Sequence, residues 1–444
     1  MAIAGIAAAR HLAAVSGVNR VVLVDERPPL TLTSDKSTEC YRNWWPGPGN
    51  AMVALTNRSI DLLEDLAANT SNAFHMNRRG YLFATAGNGE ALTALAHEAS
   101  ALGAGPVRTH NGNADDQDYV PHQPAGFAGQ PDGIDLIRDP GLIRRYFPWL
   151  SAETATVAHA RRCGWLSAQQ LGMTLLDDAR TNGVTLVAGR VTAIDTTGGR
   201  VNGVEIETRG GAQTIATPVF VNAAGPYAPQ VNRLLGVELP ITLEGHVKIS
   251  FADPQRAMPR DAPLVIWNDP VHLPWSAAER DALAASAETR HLLAPYPAGV
   301  HGRPEGKGDS VILYWTYEVL ATAPIFPIPH DPAYPEITIL GMARAIPALS
   351  QYFDQLPRPY IDGGYYTKTP ENRPLIGPMP VDGAYISSAF SGFGIMSAMA
   401  AGELLAGHVT GAPLPEYAPA FAPSRYDDPA YQALLTDWPE SGEL

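Results

Sequence analysis

Apolar and polar positions along the chain switch repeatedly between the helical period and the twofold period of a strand. Residues 6–15 are strong helix formers and Ser16-Gly17-Val18-Asn19 breaks the pattern. Val21-Val22-Leu23-Val24 then reads as a short buried strand ending in Asp25. Amphipathic helices are expected at 59–67 and 89–102, around an apolar strand at Tyr81-Leu82-Phe83. Residues 104–133 are rich in Gly, Asn, Asp, Gln and Pro and carry no period, the mark of a long surface loop or insertion. A helix at 168–181 and a strand at 184–188 come next. Residues 191–208 hold two alternating strands about the Gly198-Gly199 turn. The apolar strand 217–222 leads into Ala223-Ala224-Gly225-Pro226. The stretch 241–360 is dense in proline and aromatic residues, with strands near 245–251 and 311–317 and a helix near 338–349. It reads as a separate β-rich domain. Last come a strand at 384–389 and a long Ala- and Met-rich helix opened by Ser391-Gly392-Phe393-Gly394.

Composition narrows the field. The 444 residues correspond to two or three domains of roughly 150 residues each. With 31 Lys and Arg against 45 Asp and Glu, the net charge of −14 argues against nucleic acid or an anionic membrane surface as the main partner. Apolar residues make up 45%, enough for a sizeable core, and no apolar run reaches the roughly 18 residues of a membrane span. The apolar start resembles a signal peptide, but it lacks a basic first region and is interrupted by Arg10 and His11, so a cytoplasmic location is expected. Cys40 and Cys163 are far apart and form no CxxC, which excludes a disulfide framework and a Cys-rich zinc site. No pair among the 12 histidines has metal-ligand spacing, HExxH is absent and there is no P-loop, so no metal is expected.

Three segments carry chemistry. Helix, turn and apolar strand with a terminal acid form the second half of a dinucleotide-binding βαβ unit. Gly5 falls on its third glycine, Ala2 on the second, and the first lies before Met1. The chain is therefore expected to start inside the motif, with codons upstream encoding a strand that ends in glycine. Asp25, 20 residues after Gly5, has the spacing of a carboxylate that accepts hydrogen bonds from a ribose. Ala223-Ala224-Gly225 at a strand end lets a large flat cofactor lie against backbone. The glycines of Ser391–Gly394 let a helix N-terminus approach a ring, where its unpaired N–H groups suit the negative charge of a reduced flavin.

Taken in order, VVLVDERP, STECYR, the VTAI strand, VNAAGPYA, YYTKTPENRPLIG and FSGFGIM resemble the FAD-dependent D-amino acid oxidase superfamily, in the branch of glycine, sarcosine and related N-methyl amine oxidoreductases. The resemblance spans nearly the whole chain. It implies an α/β fold: a discontinuous Rossmann-like FAD domain (1–80, 155–240 and 361–444) and an antiparallel, β-rich substrate domain (81–154 and 241–360). By position it implies FAD contacts at Gly5, Asp25, Ser37, Thr38, Arg42, Val191, Ala224, Gly225 and Gly392 through Phe393, Gly394, Ile395 and Met396. Phe393 and Met396 replace a His and a Lys frequent in the family, so backbone N–H groups must serve in their place. Gly364 stands where sarcosine oxidases carry the cysteine that tethers flavin, which predicts non-covalent FAD. The implied activity is oxidation of a C–N bond of an amino acid or secondary amine to an imine that water hydrolyses. Arg42, Tyr366 and His246 are the candidates for catalytic roles, with Arg344 and Arg373 as further carboxylate partners and Tyr314 and Trp315 as pocket walls. A non-catalytic flavoprotein subunit of a hetero-oligomer is the competing reading, and a nicotinamide-dependent dehydrogenase a weaker third. The oligomeric state stays open.

Overall fold

The computed structural model describes residues 2–45, 47–317, 319–321, 323–436 and 438. The helix Ile3–Arg10 runs on through one π turn, His11–Val15, and precedes the strand Val22–Asp25, so the expected helix-turn-strand order holds. That strand pairs in parallel with Thr185–Asp195, which is followed antiparallel by Gly203–Thr208 and Gly211–Ala216. The strand expected at 184–188 and the first arm of the hairpin are thus one continuous strand. Gly189-Arg190 is extended backbone, and the only irregularity is a bulge between Val191 and Ala193. A second sheet pairs Phe220–Asn222 in parallel with Ala384–Ser388, itself antiparallel to Leu375–Pro378.

The third sheet has ten strands and begins around Thr242–Ala252, which is flanked by Tyr360–Lys368 and Ser310–Tyr314. It continues through His301–Pro304, Leu264–Trp267, Tyr81–Thr85, Thr156–Ala160 and Ile134–Ile137 to Val107–His110. Two of these strands lie in stretches that the sequence resemblance gives to the FAD domain, 155–240 and 361–444. All five residues of Thr156–Ala160 are buried, and such a strand needs a partner on each side, here Tyr81–Thr85 and Ile134–Ile137.

The helix expected at 59–67 spans Ala51–Asn69. Its inner face runs Met52, Leu55, Thr56, Ser59, Ile60 and Leu63, and the two hydroxyls in that stripe hide its first half from hydropathy. Thr56 is satisfied locally, donating to the Met52 carbonyl at 2.8 Å. The segment 104–133 is not wholly irregular. Val107–His110 is a strand parallel to Ile134–Ile137, fastened through the buried Asp135, which accepts from Arg108 Nε at 2.6 Å and Arg161 Nη1 at 3.0 Å and lies 2.9 Å from His110 Nε2.

The main core lies where the closing helix, Gly394–Thr410, packs on Ile3–Arg10 and Ala51–Asn69. A Cβ on Gly402 would come 2.8 Å from the backbone of Ala7, so these two Ala-rich helices cross almost backbone to backbone. Among the described residues no helix is long and apolar enough to cross a membrane.

Candidate functional site

The ends of the two smaller sheets and the N-termini of the first and closing helices face one cleft of about 1060 Å³. Its walls follow from local sequence. Asp25 ends its strand and turns the chain, its Oδ1 accepting from the Arg27 N–H at 2.9 Å. Asn222 holds the next turn: its side chain donates to Ala228 O and Asn232 Oδ1 and accepts from Ala224 N–H at 3.1 Å. Gly225 adopts a φ of +54°, and a Cβ built there meets nothing within 4 Å, so backbone conformation rather than space calls for glycine. The closing helix begins at Gly394 with no side-chain cap, and Gly392, Gly394 and Ile395 line the cleft at that end. Its first N–H groups and the positive end of its dipole are therefore turned to whatever occupies the cleft.

Most of the residues expected to touch cofactor come together here. Gly5, Asp25, Ser37, Val191, Ala224, Gly225, Gly392, Gly394 and Ile395 all line the cleft. Thr38, Arg42, Phe393 and Met396 do not. Thr38 offers its carbonyl to Arg303 Nε at 2.8 Å, behind the wall. Phe393 points into the core, edge-on to Trp45 with ring centroids 4.8 Å apart, and Met396 is buried in the same cluster. A helix presents successive side chains 100° apart, so the N–H groups of these residues and their side chains need not share a direction. Arg42 lies in the strand Cys40–Arg42, paired with Cys163–Trp165, and its guanidinium covers the Trp45 ring at 4.7 Å. Arg344 pairs with Glu153, and Arg373 donates to Pro48 O and lies 4.6 Å from the Trp438 ring centre. Trp315 packs in the core of the large sheet.

Tyr366 lines the cleft and stacks on His246, ring centroids 3.9 Å apart and 20° from parallel. His246 is one layer further back, with Nδ1 2.6 Å from the Tyr314 hydroxyl and Nε2 3.4 Å from Glu244. The segment carrying Ser37 is fastened to the large sheet from behind. Lys248 Nζ donates to Ser37 O at 2.6 Å, and burial pulls its pKa below the usual lysine value. Arg303 lies 3.6 Å from Glu39, whose carboxyl burial pushes up while that guanidinium pulls it down.

Several wall residues escaped the sequence reading. Ser387 and Ser388 line the cleft, and among the described residues their buried hydroxyls have no partner, nor has the Oε1 of Gln230. Buried polar atoms are rarely left so, and these three are available to a polar ligand. Arg27 lines it as well, sandwiched between the rings of Tyr227 and Phe326 at 5.9 and 5.1 Å. Ser34 accepts from the Ile3 N–H at 3.0 Å and caps the first helix. Only Arg27 had a visible signal, its place two residues after Asp25. A long cleft with a carboxylate at one end, backbone along its length and an open helix N-terminus at the other suits a dinucleotide that carries a flat ring. The residues present thus fit FAD.

Comparisons with known proteins agree with that geometry. The family model described as FAD dependent oxidoreductase matches residues 3–407. No curated protein sequence matches the chain significantly. Among solved structures, the chain is similar to L-proline dehydrogenase from P. horikoshii, at 20% identity and a TM-score of 0.72, covering 96% of each chain. It is similar to glycine oxidase from Geobacillus kaustophilus at 16% identity and a TM-score of 0.69, again over 96% of both. Iminodiacetate oxidase from Chelativorans sp. BNC1 matches at 18% identity and a TM-score of 0.67, over 95% of this chain and 97% of that one.

Proposed function

The chain belongs to the FAD-dependent oxidoreductase family, and from that premise we propose that it oxidises a C–N bond of a secondary amine or amino acid to an imine. Bound FAD supplies the two-electron acceptor. The observation that carries the reading is the ring end of the cleft, where the uncapped helix start at Gly394 faces Tyr366. N–H groups fixed there stabilise negative charge without reorganising, a role that Phe393 and Met396 leave to the backbone. Tyr366 offers a flat wall against which an amine can be positioned. The similar structures include an oxidase of glycine, an oxidase of iminodiacetate and a dehydrogenase of proline, which supports small amines and amino acids as the class. Arg42, Arg344 and Arg373, the carboxylate partners considered from the sequence, lie against Trp45, Glu153 and Pro48.

The test is anaerobic mixing with a panel of secondary amines and D- and L-amino acids, followed through the flavin absorbance. At least one amine is expected to bleach it. A holoprotein that none of them bleaches refutes the reading.

FAD is held without a covalent bond in this proposal. A side chain at Gly364 would meet the backbone of Thr33 at 2.9 Å, and neither Cys40 nor Cys163, both buried, lines the cleft. Acid precipitation is expected to give a colourless pellet under a yellow supernatant. A yellow pellet after washing would show a tether.

A further inference from the structure

We propose that Arg27 is the clasp that takes the diphosphate of the bound dinucleotide, an inference that rests on the FAD reading above. A dinucleotide brings anionic phosphates against a wall that carries Asp25 and Glu26, in a chain of net charge −14. Such charge is costly to desolvate unless a cation meets it. The start of the helix Ile3–Arg10 lines the cleft, but its Ile3 N–H is already donated to Ser34 Oγ at 3.0 Å. Among the described residues three arginines line the cleft and no lysine does. Arg20 and Arg190 are exposed, and Arg190 is paired with Glu207 at 3.1 Å. Arg27 is the half-buried one.

Its place follows from the turn that bears it. The Arg27 N–H donates to Asp25 Oδ1 at 2.9 Å, so this side chain and the carboxylate suited to a ribose are rooted in one turn. Along a dinucleotide the diphosphate comes next after that ribose. The guanidinium carbon lies 5.1 Å from the ring centre of Phe326 and 5.9 Å from that of Tyr227. Tyr227 ends the turn Gly225–Tyr227 beside the smaller sheet. Phe326 follows the strand Leu320–Ala321 of the ten-stranded sheet and packs edge-on to Tyr365 at 5.5 Å. Arg27 is therefore gripped by elements of two different sheets.

Aromatic rings engage the faces of a guanidinium and leave its N–H edge for a planar or tetrahedral anion. That edge is little used within the protein. Nη2 makes one long hydrogen bond, to the Tyr227 hydroxyl at 3.4 Å, and Nη1 has no partner among the described residues. Nε lies 3.7 Å from Glu26, with the two side chains 35% and 48% exposed, a pairing that water keeps weak. A phosphate oxygen pair can take the fork bidentately, and a side chain already held by two rings loses little freedom when it does.

Arg27→Gln removes the charge and the fork. Titrated into flavin-free protein and followed by flavin fluorescence, FAD is expected to bind the variant about 10-fold more weakly. ADP, as competitor, should weaken by the same factor. Raising the salt from about 0.05 to about 0.5 M should weaken FAD binding to the wild type more than to the variant. Arg27→Lys, which keeps the charge without the fork, should fall between the two. Phe326→Leu leaves the arginine in place but opens the grip, and should cost about threefold in ADP affinity, a second reading should Arg27→Gln fold poorly. Unchanged FAD and ADP affinities in Arg27→Gln would overturn the clasp. So would a variant that keeps both and loses only affinity for carboxylated substrates, which would make Arg27 a substrate residue. Failure of the amine chemistry reads differently: no amine bleaches the wild-type flavin, yet Arg27→Gln still weakens FAD and ADP, and the clasp stands. A wild type that binds neither FAD nor ADP would remove both.

Discussion

Gly392→Ala will purify largely colourless, its affinity for FAD reduced about 10- to 100-fold. A Cβ at this position would lie 2.6 Å from Cε2 of Tyr366 and 2.7 and 2.8 Å from Cζ and the hydroxyl. Tyr366 cannot withdraw, because its other face is stacked on His246 at 3.9 Å. The turn has little slack either, since Ala389 and Ser391 already occupy left-handed backbone at φ of 59° and 46°. Overpacking of this kind costs about 1–3 kcal/mol, and it falls on the loop that aims the closing helix at the cofactor. Flavin absorbance per mole of protein and fluorescence titration with FAD measure the effect. Gly5→Ala is the matched control. Its Cβ would touch Ala223 Cβ at an ordinary 3.4 Å, so it should bind FAD within about threefold of the wild type. A Gly392→Ala protein carrying stoichiometric FAD would contradict the account.

Glu371→Ala is expected to lower stability by about 3–5 kcal/mol, the usual consequence of leaving one member of a buried ion pair alone. Glu371 is fully buried in the turn between the strands Tyr360–Lys368 and Leu375–Pro378, and Arg425 is 6% exposed. Its Oε1 accepts from Arg425 Nε at 2.8 Å and Nη2 at 2.7 Å, and from the hydroxyls of Tyr426 and Tyr431 at 2.8 and 3.1 Å. All these donors come from the C-terminal segment, so that segment should also detach. Urea unfolding of the holoprotein reads the stability, and limited proteolysis reads the release. Glu371→Gln, which keeps an acceptor without the charge, should lose less. A Glu371→Ala variant within about 0.5 kcal/mol of the wild type would show that the segment is held by other contacts.

Much of the cleft was legible because its makers are local. The strand ending in Asp25, the Ala-Ala-Gly turn and the glycine-opened helix each announce themselves within ten residues or so, and the structure brings all three to one cavity. The large sheet was less legible. Its strands Leu264–Trp267 and Thr156–Ala160 are short, wholly apolar or buried on both faces, and periodicity cannot distinguish such runs from helix. Their partners are also distant in sequence. The sequence argument for Gly5, that helix and strand approach too closely for a side chain, proves weaker than expected, since a Cβ fits there. Gly402 is where two backbones meet closely, and nothing in its Ala-rich surroundings marks it. Arg42 illustrates a different limit. Its neighbourhood in STECYRNWW correctly indicated aromatic company, but which face of that company it would occupy depends on Trp45 and Phe393, residues joined only in three dimensions.

Lys248 and Arg303 grip Ser37 and Thr38 through their main-chain carbonyls, from positions 211 and 265 residues downstream. Such a clamp ignores side-chain identity. The ribbon at 37–38 keeps its course whatever residues it bears, so Ser37, the one of the two that lines the cleft, is free to be retuned toward a new ligand while the distant cations preserve alignment. Altering either cation would do the reverse, leaving the local letters intact and letting the whole ribbon drift.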